Sequence, residues 1–131
     1  MLVDRIIDTG LRQIGKPYRF NAAPFQTNFF DCSSFIQYIF GVHGIRLPRN
    51  SRQQFQVGRP VPFQKIRKGD LLFFTTKNRR YRFGTERIGH VALYIGNGKI
   101  LHTFLKGKKV QISSLNRYWK GVFLGAKRLI F

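Results

Sequence analysis

At 131 residues and 15.3 kDa, with 43% hydrophobic content, the chain is too apolar for a disordered polymer and has the size of one domain, 1–131, around one core. Its 24 Lys and Arg against 5 Asp and Glu leave a net charge of +19, which suits a polyanionic partner: nucleic acid, an anionic membrane face, or an anionic wall polymer. A solvated basic surface without a specific ligand fits the same composition.

Leu2, Val3, Ile6, Ile7, Leu11 and Ile14 recur at helical spacing up to Gly15, which predicts an amphipathic first helix. Asp4, Arg5 and Asp8 interrupt the apolar residues there, so the segment does not read as a signal peptide, and no stretch reaches the ~18 apolar residues of a membrane span. A protein acting outside the cytoplasm would then lack its leader here, be a fragment of a longer precursor, or leave by another route. Residues 16–30 carry Pro17 and Pro24 without periodicity and read as a surface loop whose aromatics Tyr18, Phe20, Phe25, Phe29 and Phe30 need cover.

A second helix is signalled by Asp31 as N-cap, the series Phe35, Ile36, Ile39, Phe40, and a stop at Gly44. Residues 48–55 hold a further short helix capped by Asn50 or Ser51, and Pro60 and Pro62 separate it from the C-terminal half of the chain. From Gly69 the period changes, and residues 71–76, 90–95, 100–105 and 122–131 read as strands. Helices first and strands after predict an α+β fold, N-terminal helices packed on a central antiparallel sheet. Residues 77–87, with five basic residues and two aromatics, read either as a polyanion-touching loop or as a solvated hairpin end.

The single cysteine, Cys32, excludes a disulfide framework and leaves either a core thiol or a reactive one. Placed in the first turn of the second helix, it would meet unpaired N–H groups and the positive dipole end, which lower a thiol pKa. A nucleophilic thiol also needs a histidine within reach and a group to orient that ring. His43 falls near the other end of the same helix, about three turns away, which leaves His90 and His102 on neighbouring strands. Gly96-Asn97-Gly98 reads as the hairpin turn between them. A two-residue loop would set the two rings on opposite faces, whereas a three-residue loop would set them on one face, diagonal to each other. A Cys–His–His site therefore predicts the odd-length, bulged hairpin.

Taken together, Asp31-Cys32-Ser33-Ser34-Phe35; Gly44-Ile45-Arg46-Leu47-Pro48-Arg49-Asn50-Ser51 with Gln54; Lys68-Gly69-Asp70-Leu71; Gly89-His90-Val91-Ala92; and Ile100-Leu101-His102 resemble the NlpC/p60 cysteine peptidases of bacterial cell walls. The resemblance spans nearly the whole chain and implies a papain-like NlpC/p60 fold with no cofactor or metal. In it Cys32 would be the nucleophile, His90 the general base, and His102 the orienting group. Tyr18, Asp31 and Ser33 would surround the substrate's amine end. It also implies hydrolysis of the γ-D-glutamyl–diamino acid bond of peptidoglycan stem peptides, in a secreted, periplasmic or wall setting. The basic surface would then hold anionic wall polymers, and nucleic acid becomes the less fitting partner. Departures are Tyr18-Arg19-Phe20-Asn21-Ala22 where the family has Tyr-x-Trp-Gly-Gly, Ser34 where it has Gly, and a longer 77–87 connection; the first two are expected to touch the substrate cleft. Competing readings are an antibacterial amidase effector with an immunity or inhibitor protein as partner, a catalytically silent basic module binding wall polymer or nucleic acid, and a poly-γ-glutamate hydrolase.

Overall fold

A computed structural model describes residues 1–130. Four helices, α1 (Leu2–Leu11), α2 (Cys32–Gly41), α3 (Ser51–Gln54) and α4 (Arg117–Val122), accompany six strands. The strands are β1 (Arg59–Val61), β2 (Leu71–Thr75), β3 (Ile88–Gly96), β4 (Lys99–Thr103), β5 (Val110–Ser114) and β6 (Phe123–Arg128). All pairings in the sheet are antiparallel, in the order β1-β6-β2-β3-β4-β5. The α+β expectation therefore holds, with helices first and most of the sheet after. Among the described residues no helix is long and apolar enough to cross a membrane.

The central strands are buried on both faces, so their side chains alternate between two cores. Leu71, Phe73, Val91, Leu93 and Leu101 pack with Ile6, Phe35, Ile36, Ile39 and Phe40 under α1 and α2. Leu72, Phe74, Ala92 and Ile100 pack on the other face with Trp119 of α4 and Ala126. Gly10 lets α1 come close to this first core, because a Cβ there would lie 2.7 Å from Leu101 Cδ2. A buried ion pair closes the sheet: Arg128 Nε and Nη2 donate to the two Asp70 oxygens at 2.8 and 2.9 Å, and the Arg67 N–H donates to Asp70 Oδ2.

Local chemistry explains the element ends that position the site. Asp31 Oδ1 accepts the Ser34 N–H at 2.8 Å and Ser34 Oγ accepts the Asp31 N–H at 3.0 Å, a reciprocal capping box that starts α2 at Cys32. Asn50 and Gln53 cap α3 in the same way. Ser34 is thus buried inside the cap and does not line the cleft, contrary to expectation, because its hydroxyl is consumed by the helix start.

Other expectations need correction. The first helix ends at Leu11, and Ile14 is largely exposed beyond it. Residues 16–30 are irregular, but of their aromatics Phe30 alone is fully buried, while Phe20 and Phe25 stand in solvent. Pro60 sits within β1 rather than before a strand, tolerated because β1 is the sheet edge, where a missing N–H breaks no second ladder. The expected 100–105 strand stops at Thr103, and the expected 122–131 strand starts only at Phe123, after α4; Phe131 lies outside the described residues. β5 was not anticipated.

The β3–β4 turn is a two-residue Asn97-Gly98 loop, with φ of 53 and 69, rather than a three-residue one. Gly96 pairs with Lys99, but Tyr94 already pairs with Ile100, so Ile95 is left over as a bulge. That bulge supplies the extra residue assigned to the turn. A second bulge lies at the start of the strand, where Thr75 pairs with Ile88 but Phe74 with His90, leaving Gly89 over. Thr76 packs where a Cβ on Gly89 would stand, so the bulge accepts no side chain there.

Candidate active site

The two bulges decide where the histidines face. Between them, His90 shares the phase of Ala92, and across the hairpin His102 shares that of Ile100, so both rings lie on the α4 side of the sheet. His90 Nε2 and His102 Nδ1 are 2.8 Å apart, and His102 Nε2 is 2.8 Å from Ser113 Oγ. Ser113 stands diagonal to His102 on β5, since His102 pairs with Gln111. Around the rings Phe74, Phe104 and Trp119 form an aromatic box: His102 stacks on Phe104 with centroids 4.8 Å apart, and His90 lies against Trp119 at 5.3 Å.

Proton placement in this chain follows from which group accepts at its far end. When Ser113 Oγ accepts from His102 Nε2–H, His102 Nδ1 is the acceptor for His90 Nε2–H, and His90 Nδ1 keeps a free lone pair. The reverse orientation protonates His90 Nδ1 and removes the base. Burial drives both imidazoles toward neutrality, taking His90 well below its ordinary 6.5 and His102 to about 3, with His102 as a further cause at His90.

Cys32 opens α2 and shares with His90 a cleft of about 910 Å³. Its Sγ lies 4.0 Å from the carbonyl of the bulged Gly89. The expected depressed thiol is not what the surroundings produce. Desolvation and the charge of Asp31 push it up to about 11, outweighing the Val91 and Ser33 N–H groups that favour thiolate. The resting pair is therefore a neutral thiol beside neutral imidazoles.

Tyr18, Asp31 and Ser33 line the same cleft. Burial, with Cys32 and Asp31 nearby, pushes the Tyr18 hydroxyl up to about 12, so it stays a neutral donor. Asp31 is not bare: Arg49 forks it at 2.8 and 3.2 Å, while also donating to Ser33 Oγ and the Ala22 carbonyl. Gln54 ties α3 to this corner by donating to the Ser33 and Pro48 carbonyls. His43 stands apart, 2.7 Å from Thr9 Oγ1. Among the described residues no group of His, Cys, Asp and Glu could hold a metal ion. Sequence reasoning missed Ser113 and Gly89 and gave Trp119 no role at the rings. It could have found Arg49, because a buried acid in so basic a chain requires a cation.

The model of the NlpC/P60 family matches residues 15–128. The chain is 36% identical over 124 residues to murein DD-endopeptidase MepH of Escherichia coli, covering 92% of this chain and 43% of that protein. It is 40% identical over 111 residues to gamma-D-glutamyl-L-lysine dipeptidyl-peptidase of Bacillus subtilis, covering 84% and 35%. Among solved structures, RipD of Mycobacterium tuberculosis, described as a non-catalytic NlpC/p60 domain protein adapted to peptidoglycan binding, superposes with a TM-score of 0.80 at 31% identity, over 99% of this chain and 98% of that one. The chain thus spans less than half the length of the two enzymes.

Proposed function

The chain belongs to the NlpC/P60 family, and on that premise we propose that it is a cysteine peptidase hydrolysing peptidoglycan stem peptides at the γ-D-glutamyl–diamino acid bond. Cys32 Sγ is the nucleophile and passes its proton to His90 Nδ1 as it attacks the scissile carbonyl. The developing oxyanion falls near the Cys32 N–H, and His90, now imidazolium, hands its proton to the leaving amine. A water, deprotonated by the same ring, then releases the acyl group. His102 holds His90 through Nδ1 and is itself held by Ser113, so the relay orients the base by hydrogen bonds rather than by charge.

A single observation carries this reading: a helix-start cysteine and a histidine share one cleft, and behind that histidine a two-bond relay fixes its tautomer. A thiol resting at about 11 does not oppose it, because the proton moves only when bound substrate excludes water and the oxyanion site is filled. The peptide reading places the substrate's amine end at Tyr18, Asp31 and Ser33, and the site of action in the wall or periplasm. The +19 charge would hold the enzyme on anionic wall polymers, and retention on walls should fall steeply between low and moderate salt.

Mass spectrometry of muropeptides digested by wild type and by Cys32→Ala tests class, nucleophile and bond together. Cleavage lost only in the variant is the expected result. The likeness to RipD favours one second reading, a silent binding domain; it requires the two proteins to give identical, uncleaved muropeptides while both bind wall material.

A further inference from the structure

The cleft that holds Cys32 is cationic on the side away from Tyr18. Arg52, Lys77, Arg79 and Lys106 line it, and the one acid in the lining, Asp31, is already forked by Arg49. Lys77 and Arg79 come from the long β2–β3 connection, which folds over the cleft instead of pointing away from it. Arg52 is partly buried and close enough to the thiol and to Arg79 for their charges to bear on it. Its one hydrogen bond runs from Nη1 to the Ile88 carbonyl at 2.7 Å, so its other N–H groups have no partner in the protein. Arg79 and Arg82 share Glu86 at 3.5 and 3.7 Å, which leaves this wall under-compensated. Desolvation and the charge of Arg79 pull the Arg52 guanidinium down, the mark of a cation short of a counter-ion.

A peptide bonded through the side-chain carboxyl of a glutamyl residue carries that residue's own α-carboxylate a few bonds from the scissile carbonyl. We propose that Arg52, Lys77, Arg79 and Lys106 form a carboxylate-reading wall, so that the enzyme selects γ-glutamyl peptides with a free α-carboxylate over those in which it is amidated. The inference rests on the peptidase reading above and adds to it what the cleft discriminates. An Arg with open donors takes a carboxylate in a charge-assisted bond, whereas a carboxamide offers one neutral acceptor and two N–H groups facing cations.

The test uses two muropeptides that differ only in carboxylate or carboxamide at the glutamyl α-position, with a γ-linked glutamate oligomer as third substrate. Wild type should favour the acid form about tenfold or more in kcat/KM, the worth of one charge-assisted hydrogen bond. Arg52→Gln should bring the ratio toward one mainly by lowering kcat/KM on the acid form, and Arg52→Lys should recover part of it. Because Arg52 also holds Ile88, Lys77→Gln with Lys106→Gln repeats the test at two exposed positions. Arg80→Gln, which removes the same charge from the same loop outside the cleft lining, should leave the ratio unchanged. Preference for the acid muropeptide assigns the carboxylate to wall peptides, and faster cleavage of the oligomer assigns it to γ-linked polyglutamate; both support the wall of cations. Equal kcat/KM of wild type on the two muropeptides, or a ratio untouched by both sets of substitutions, overturns it. If no substrate is cleaved by wild type any more than by Cys32→Ala, the peptidase reading itself fails.

Discussion

Acid should destabilise this fold through two residues. His90 and His102 are buried and neutral when folded, with His102 at about 3 and His90 well below 6.5, whereas in the unfolded chain both titrate near 6.5. Below that value the unfolded state takes up protons that the folded state refuses, so stability is complete above about pH 6.5 and falls as pH drops toward the folded values. Between pH 6.5 and 5, above the range in which most carboxylates titrate, each histidine costs about 2 kcal/mol at ~1.4 kcal/mol per pH unit, so the pair costs about 4 kcal/mol. Against a typical stability of about 5–15 kcal/mol that is a large share. Urea unfolding at half-unit steps from pH 7 to 5 reads it as a falling midpoint at constant m-value. His102→Gln, which keeps a polar group between His90 and Ser113, should halve the slope. A wild-type midpoint flat across this range, or an unchanged slope in the variant, would refute the assignment of two neutral buried rings.

Three further outcomes are expected from the same geometry. Ser113→Ala should lower kcat about tenfold with KM nearly unchanged, since it removes the acceptor that sets the base-competent tautomer, and Ser113→Thr should restore it; steady-state kinetics on a muropeptide decides, and an unchanged kcat discounts the relay. Alkylation of Cys32 by iodoacetamide should be slow at pH 7, where a thiol at about 11 is ionised to roughly one part in ten thousand, and should rise about tenfold per pH unit through pH 9; a plateau below pH 8 would mean the ion pair pre-exists. Asp70→Ala should cost about 3–5 kcal/mol in urea unfolding, because it strands the Arg128 charge in the sheet and the Arg67 N–H beside it; a loss below 1 kcal/mol would show that water replaces the carboxylate.

Features encoded locally were legible in the sequence. Asp31 and Asn50 announce their helices because capping is a matter of three or four neighbouring residues, and both form the reciprocal boxes. The apolar cores of β2, β3 and β4 stand out because they are buried on both faces. Elements fixed by their place in the sheet were not legible. β1 carries a proline that only an edge strand tolerates, β5 is half polar because only one of its faces is covered, and α4 is six residues long. At the candidate site, Cys32, His90 and His102 were found from residue type and parity, and the need for an odd residue in the hairpin was derived correctly. Its position at Ile95 could not be, since a turn and a bulge absorb an extra residue equally well. Ser113 escaped for a simpler reason: a serine on an unrecognised strand carries no signal until its neighbour across the ladder is known.

The pair of leftover residues, Gly89 and Ile95, gives β3 a property that neither turn possesses alone. A strand joined directly to its hairpins passes every gain or loss of a loop residue into its middle, turning each side chain to the opposite face. Here the five residues His90 to Tyr94 are bracketed by slack on both sides, so a one-residue change in either loop can be met by closing or opening a bulge while His90 keeps its heading. The loops that shape the cleft, the long basic connection foremost, are thereby free to lengthen, shorten and change what they admit, while the histidine they surround stays aimed at the same sulfur.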